Sequence, residues 1–112
     1  MSSKARIEVF QSMGRQKIIP LFFHPDQEFS IKVMSALYSG GIRVLEFVAR
    51  GSESLDVFRA MKKFAEENLP GFILGVGSLT HASEASLFIQ LGADFIVTPC
   101  LKKSIGKVCN AR

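Results

Sequence analysis

The sequence has no tryptophan and only two cysteines in 112 residues. Cys100 and Cys109 are spaced neither as a metal knuckle nor as a redox pair, so no site of either kind is expected from them. This cysteine usage favours a reducing compartment. No apolar run approaches the roughly 18 residues that cross a bilayer, and the mixed-charge start lacks the apolar stretch of a signal peptide. These absences predict a cytoplasmic protein with no membrane partner.

Basic residues are in modest excess, with a formal net charge of +4. They are scattered near both ends of the chain rather than gathered on one helix face with interleaved aromatics, the pattern typical of nucleic-acid-binding proteins. We therefore expect no nucleic-acid partner. The mild positive balance instead suits a small anion such as a phosphorylated metabolite.

Hydrophobic residues make up 47% of the chain and charged residues 21%, which is the composition of a globular protein with an ample core. The length predicts a single domain over residues 1–112. Four short segments are nearly continuous runs of apolar residues, a pattern typical of strands buried on both faces of a parallel sheet. The predicted strands are residues 18–23, 42–48, 72–77 and 94–99.

Segments with helical periodicity alternate with these strands. Their apolar residues recur three or four positions apart, and Asp26, Ser52 and Thr80 stand where helix N-caps are expected. The predicted helices are residues 4–13, 28–38, 54–67 and 82–91.

Strands that alternate with helices predict an α/β fold with a parallel sheet and right-handed crossovers. The strand spacing is close to that of a TIM (β/α)8 barrel. The fold prediction is therefore an N-terminal helix plus about four βα units, which is half a barrel. Half a barrel leaves open strand edges, so we expect either further chain or a partner to complete the sheet.

Glu46 is the most informative candidate for chemistry. It lies in a predicted strand of large apolar side chains, where an unpaired charge would be very unfavourable. Val44, Glu46 and Val48 share one face of that strand, and a desolvated carboxyl on an inward face suits general acid–base catalysis. The alternative is a structural carboxylate held by a neighbouring arginine.

Further candidates follow the carboxyl ends of the predicted strands, where barrel enzymes place their active sites. Arg50 could bind a carboxylate or phosphate with both nitrogens, or be a solvated loop residue. Gly75, Gly77 and Ser78 would let backbone amides or a hydroxyl approach a ligand, and Pro99 would shape a wall.

His24 and His81 are interpreted as loop or cap residues, and no metal site is expected. No lysine of the sequence sits within a predicted apolar strand, which is the environment that a Schiff-base amine needs.

Four segments in order along nearly the whole chain carry specific motifs. They are IIPL at 18–21, GGIRVLE at 40–46 followed by Arg50, GVGS at 75–78 and LGADFIVTP at 91–99. These resemble the (I/V)xPV, GG(V/I)RxLE…R, GAGT and GAxFxVSP segments of the 2-keto-3-deoxy-6-phosphogluconate (KDPG) / 4-hydroxy-2-oxoglutarate (KHG) aldolases.

The resemblance implies a class I, Schiff-base aldolase that cleaves KDPG or KHG to pyruvate plus an aldehyde. It assigns Glu46 as the general acid–base, Arg50 as the group that holds the pyruvate carboxylate, Ser78 as the counterpart of a substrate-contacting threonine, and Pro99 as a pocket wall. It also implies a trimer of (β/α)8 barrels with keto-acid substrates. Apart from the resemblance, we expect no cofactor.

The chain departs from the family pattern in three places. Ser78 replaces a threonine, Gly51 and Ser52 stand where family members have a threonine, and no segment matches the FKxFP-like motif that carries the Schiff-base lysine. The chain is therefore expected to be the N-terminal half of an aldolase and inactive alone. The alternatives are a self-associating, non-catalytic half-barrel that binds a small anion, and another phosphate-binding barrel such as a tryptophan- or thiamine-pathway enzyme.

Overall fold

The computed structural model describes residue 2, residues 4–100 and residues 102–111. Within them the chain forms five helices and three parallel strands, and the strands are in the order β1-β2-β3. In chain order the elements are α1 (Arg6–Gln16), β1 (Leu21–Phe22), α2 (Gln27–Ser39), β2 (Val44–Val48), α3 (Ser54–Asn68), β3 (Ile73–Gly77), α4 (Ala82–Gln90) and α5 (Lys103–Asn110). The predicted α/β class is confirmed, since the chain forms part of an α/β fold.

One face of the sheet packs against α2, α3 and α4. Successive strand residues point to opposite faces, so Leu45 and Phe47 of β2 share this face with Leu74 and Val76 of β3. All four side chains are fully buried in the main core. The helices contribute the buried side chains of Met34, Phe58, Met61 and Phe88. Burying each large apolar side chain stabilises the fold by about 1.5–3 kcal/mol.

The opposite face carries Val44, Glu46 and Val48 of β2. At the amino-terminal end of this face, Val9 of α1 packs with Val44 and Ile73 in a second, smaller core. Helix α1 therefore covers that end of the face, and Glu46 lies two residues further along β2 than Val44.

The predicted helices and the two inner strands are largely confirmed. Helices α2 to α4 and strands β2 and β3 begin and end within about two residues of their predicted bounds. The predicted first strand at 18–23 is shorter, since only Leu21–Phe22 pairs with β2. Ile18 is 75% exposed, and Lys17 has a positive φ of 69° that turns the chain just before this segment.

The predicted fourth strand at 94–99 is reduced to a single bridge between Val76 and Ile96. Residues 94–97 run beside β3, with Asp94 N donating to Leu74 O at 2.9 Å and Val97 N to Val76 O at 2.9 Å. However, Leu74 N donates to the side-chain Oδ2 of Asp94, which replaces a backbone acceptor and interrupts the ladder. The described part of the chain thus has three complete strands rather than the four of the half-barrel prediction.

The predicted helix caps have mixed outcomes. Asp26 caps α2 as predicted, because its Oδ2 accepts a hydrogen bond from Phe29 N at 2.8 Å. Ser52 and Thr80 are wrong as N-caps, since α3 follows Glu53 and α4 follows His81, each without a side-chain cap bond. Among the described helices, none combines the length and apolar character that crossing a membrane requires.

Candidate active site

Glu46 lies at the middle of β2, the central strand. Its Cα pairs with that of Leu21 on one side and that of Gly75 on the other. The side chain is only partly exposed, and Oε2 lies so close to Gly77 that a Cβ atom built there would be 1.9 Å away. Burial raises the pKa of the Glu46 carboxyl above its ordinary value. This carboxyl therefore keeps its proton to a higher pH than an exposed glutamate does.

The two glycines of β3 leave space that other side chains occupy. A Cβ atom at Gly75 would lie 2.4 Å from ring carbons of Phe95, just as one at Gly77 would meet Glu46. Side chains of this chain fill both spaces, whereas the approach of a ligand to the backbone amides or to the Ser78 hydroxyl stays a prediction. The small size of the two glycines admits a ring and a carboxyl onto this face of the sheet.

Arg50 lies two residues beyond the end of β2, in a loop that its own backbone anchors. Its N–H donates to Ser54 Oγ at 2.7 Å, and that hydroxyl donates back to Arg50 O at 2.6 Å. Ser54 is buried at the start of α3. Arg50 is exposed. These hydrogen bonds therefore fix the loop, while the Arg50 guanidinium stays available to a ligand.

Ser78 and Pro99 each follow the carboxyl end of a segment of the sheet. Val48 pairs with Gly77 and Ala49 N donates to Gly77 O at 3.0 Å, so Ser78 comes directly beside the exit of β2. Ser78 is exposed and has a positive φ of 64°, a conformation that is uncommon for a residue other than glycine. Pro99 is exposed. It lies two residues after Val97, whose N–H donates to Val76 O of β3. The fold thus places Arg50, Ser78 and Pro99 after the carboxyl ends of the sheet segments, with Glu46 at the middle of β2.

Both histidines belong to helix starts, as the sequence indicated. The His24 ring stacks on Phe29 with a centroid distance of 4.2 Å, and its Nδ1 accepts from Asp26 N at 3.1 Å. His81 is the exposed residue before α4. Over the described residues, no three His, Cys, Asp or Glu side chains are grouped so as to hold a metal ion.

The structure also contains a buried ionic cluster that was not predicted from the sequence. The fully buried Asp94 carboxylate accepts from Lys62 Nζ at 2.9 Å, and Lys4 Nζ lies 3.5 Å away. Lys62 is itself only 4% exposed, on α3. The signal was present in the helical pattern, because Lys62 lies in the buried stripe formed by Phe58, Met61 and Ala65. The cluster lies at the amino-terminal side of β3, away from Arg50 and Ser78, and joins α3 to the segment after α4.

A parallel α/β sheet with a partly buried carboxyl on a strand and an arginine just beyond the carboxyl end of that strand is typical of enzymes that act on small anions. The chain belongs to the KDPG and KHG aldolase family, since the family described as "Aldolase: KDPG and KHG aldolase" matches residues 9–112. This result confirms the resemblance inferred from the four sequence motifs.

Two curated relatives and one solved structure illustrate the similarity. The 2-dehydro-3-deoxy-phosphogluconate aldolase of Haemophilus influenzae is 26% identical over 91% of this chain and 46% of its own length. The KHG/KDPG aldolase of Escherichia coli is 28% identical over 80% of this chain and 40% of its own length. The crystal structure of 2-keto-3-deoxy-6-phosphogluconate aldolase from Zymomonas mobilis is 28% identical, with a TM-score of 0.71 over 83% of this chain and 43% of that chain. The chain thus spans less than half the length of these relatives.

Proposed function

We propose that this chain supplies the acid–base and keto-acid-binding part of a class I aldolase that cleaves KDPG or KHG to pyruvate and an aldehyde. Membership of the aldolase family supports the reaction class. The observation that carries the proposal is the Glu46 carboxyl, partly buried on the sheet face that ends at Arg50 and Ser78.

Glu46 is proposed as the general acid–base. In the Schiff-base reaction a lysine amine adds to the keto group, and the resulting hydroxyl must take a proton before it leaves as water. A carboxyl whose pKa is raised by burial retains a proton to give at that step. The carboxylate that remains then accepts the proton from the substrate hydroxyl as the carbon–carbon bond breaks, and the aldehyde departs.

Arg50, Ser78 and Pro99 are proposed to bind substrate around that carboxyl. A guanidinium can hold the keto-acid carboxylate through two parallel hydrogen bonds. The anchoring of the Arg50 backbone to Ser54 supports this role, because a fixed loop loses less conformational freedom on binding. Ser78 would offer a hydroxyl to the substrate, and Pro99 a rigid wall.

The Schiff-base lysine is proposed to come from outside these residues. Each lysine of the sequence lies on a helix or in a loop, whereas none lies on β1, β2 or β3. Lys62, the most buried lysine, is held in an ion pair with Asp94, with Nζ 2.9 Å from Oδ2, so its nitrogen is not free to attack a substrate. On this proposal the 112-residue chain alone does not form a pyruvate imine.

The complete enzyme is proposed to be a cytoplasmic homo-oligomer, a trimer of (β/α)8 barrels, with a keto acid as its small-molecule partner and no nucleic-acid partner. The relatives described above are named as aldolases and give no support to the alternative of a non-catalytic, anion-binding half-barrel.

The test is the substitution Glu46→Gln in the complete gene product. We expect kcat for pyruvate release from KDPG or KHG to fall about 100- to 10,000-fold, the usual contribution of a general acid–base, while KM changes little. Glu67→Gln is the matched control, because Glu67 is exposed in the last turn of α3.

Glu46→Asp should retain part of the activity, since it keeps a carboxyl at a shorter reach. Full activity of Glu46→Gln, or an equal loss in Glu67→Gln, would show that Glu46 does not transfer the proton.

A further inference from the structure

Gly77 occupies a position where neither the backbone nor the sheet requires glycine. Its φ is not in the positive region, unlike that of Gly71 or Gly92, so alanine would fit the strand conformation. Glycine inside a strand weakens it through lost packing and greater chain entropy. The reason for glycine here must therefore be space.

That space is filled by Glu46. An added Cβ atom would be 1.9 Å from Oε2 and 2.6 Å from the carboxyl carbon, whereas Cβ contacts under 3.0 Å are essentially never seen. Gly75, two residues earlier on the same face, gives its space to the Phe95 ring. Gly75 is also the Cα partner of Glu46, so the Phe95 ring and the glutamate share this face of the sheet.

We propose that Gly77 is a positioning residue for the general acid–base: its missing side chain forms the slot that holds the Glu46 carboxyl against β3, with the Phe95 ring over Gly75 as the neighbouring wall. This inference rests on the proposed function for its catalytic consequence, although the slot itself is independent of it.

Alanine at position 77 would move the Glu46 carboxyl by about 1 Å or more, and a displacement of that size can lower a rate roughly 100-fold. The displaced carboxyl would also be better solvated. It would then lose the desolvation that raises its pKa, so its titration should shift to lower pH.

The first experiment titrates the Glu46 side-chain carboxyl by carbon NMR in the complete gene product, as wild type, as Gly77→Ala and as Gly14→Ala. Gly14 is the matched control because an added Cβ there meets nothing within 4 Å. We expect the midpoint to fall towards the ordinary glutamate value in Gly77→Ala and to stay unchanged in Gly14→Ala. An unchanged midpoint in Gly77→Ala would overturn the proposal, whether or not the protein is an aldolase.

A stability measurement covers the case in which Gly77→Ala does not fold. If its defect is the clash with Glu46, the double variant Glu46→Ala/Gly77→Ala should fold and recover most of the lost melting temperature. A double variant that stays as unstable as Gly77→Ala would contradict the proposal.

The catalytic consequence is read in the complete gene product. Gly77→Ala should lower kcat about 100-fold with little change in KM, and should move the alkaline limb of the pH–rate profile, where Glu46 loses the proton that it donates, to lower pH. Glu46→Asp should be less harmful when combined with Gly77→Ala than alone, because the shorter side chain withdraws from position 77. Strictly multiplicative effects would overturn the positioning role. If Gly77→Ala shifts the NMR midpoint but the wild-type protein has no aldolase activity, the proposed function is wrong and the role of Gly77 in holding the Glu46 carboxyl is supported.

Discussion

Glu46 is placed in a strand whose other side chains are apolar, and its ionised form is penalised there. A carboxyl whose pKa is raised on folding binds its proton more tightly in the folded state. The protonated Glu46 carboxyl therefore makes its full contribution to folding stability below the unfolded pKa, near the ordinary value of about 4.3. That contribution is lost as the pH rises through the folded pKa and the carboxyl ionises.

Glu46→Gln should consequently be more stable than the wild-type chain at neutral pH, and the difference should vanish in acid. The free energy of unfolding from urea titrations at several pH values measures this. Exposed Glu67→Gln serves as the control, with no such trend expected. A wild-type chain more stable than Glu46→Gln at neutral pH would mean that the ionised carboxyl has a stabilising partner.

Arg50 contributes through charge at the same site. We expect Arg50→Ala to raise KM for the keto acid about 10- to 100-fold, because hydrogen bonds to a charged group contribute about 1.5–3 kcal/mol. Arg50→Lys should recover part of the loss, since it keeps the charge without the planar pair of donors.

Steady-state kinetics of the complete gene product check this, with Arg59→Ala as the matched control. Arg59 forms a surface pair with Asp56 at 3.1 Å, and such pairs contribute about 0–1 kcal/mol. An unchanged KM in Arg50→Ala, or an equal rise in Arg59→Ala, would remove Arg50 from substrate binding.

At the scale of elements, the Asp94–Lys62 pair joins α3 to the partial fourth strand. The Asp94 carboxylate also accepts from Leu74 N at 2.9 Å, so one buried group connects a helix, β3 and the chain after α4. Removing one partner of a buried pair leaves an uncompensated charge, which typically costs about 3–5 kcal/mol.

We expect Asp94→Asn to lower the free energy of unfolding by that amount, and Asp94→Asn/Lys62→Met to recover much of it. Asp56→Asn, in the exposed pair with Arg59, should change stability by no more than about 0.5 kcal/mol. Urea unfolding of the four proteins provides the comparison. Equal losses in Asp94→Asn and Asp56→Asn would show that burial does not make this pair important.

The elements that the sequence predicts well are those whose pattern is local. Strands β2 and β3 are continuous apolar runs, and α2 to α4 have regular apolar stripes, so composition and period suffice. The limits of β1 and of the 94–97 segment depend instead on pairing with neighbouring strands. Asp94 in particular takes a ladder bond with its side chain, and no hydrophobic pattern encodes that exchange.

Some residues of the candidate site can likewise be predicted from the sequence, and others cannot. Glu46 is recognisable because a carboxylate interrupts an apolar strand, and Arg50, Ser78 and Pro99 are recognisable because they follow strand ends. The slot at Gly77 is not, since glycine near a strand end also fits a turn, and only the position of the Glu46 side chain shows what fills the space.

At the scale of the whole molecule, the described chain is a small sheet with apolar residues at its edges. Leu21 of the edge strand β1 is 60% exposed, and Val97, on the far side of β3, is 38% exposed. Open edges with apolar side chains favour pairing with further strands. This feature agrees with the proposal that the aldolase site is completed from outside these residues.

Borohydride trapping of the complete gene product with pyruvate, followed by intact mass and peptide mapping, tests whether this chain is part of a Schiff-base aldolase. We expect one reduced pyruvate adduct on a lysine outside this sequence, and none on the 112-residue chain alone. An adduct on one of the lysines of this chain would contradict the proposed division of the site, and no adduct on the complete product would contradict the Schiff-base aldolase itself.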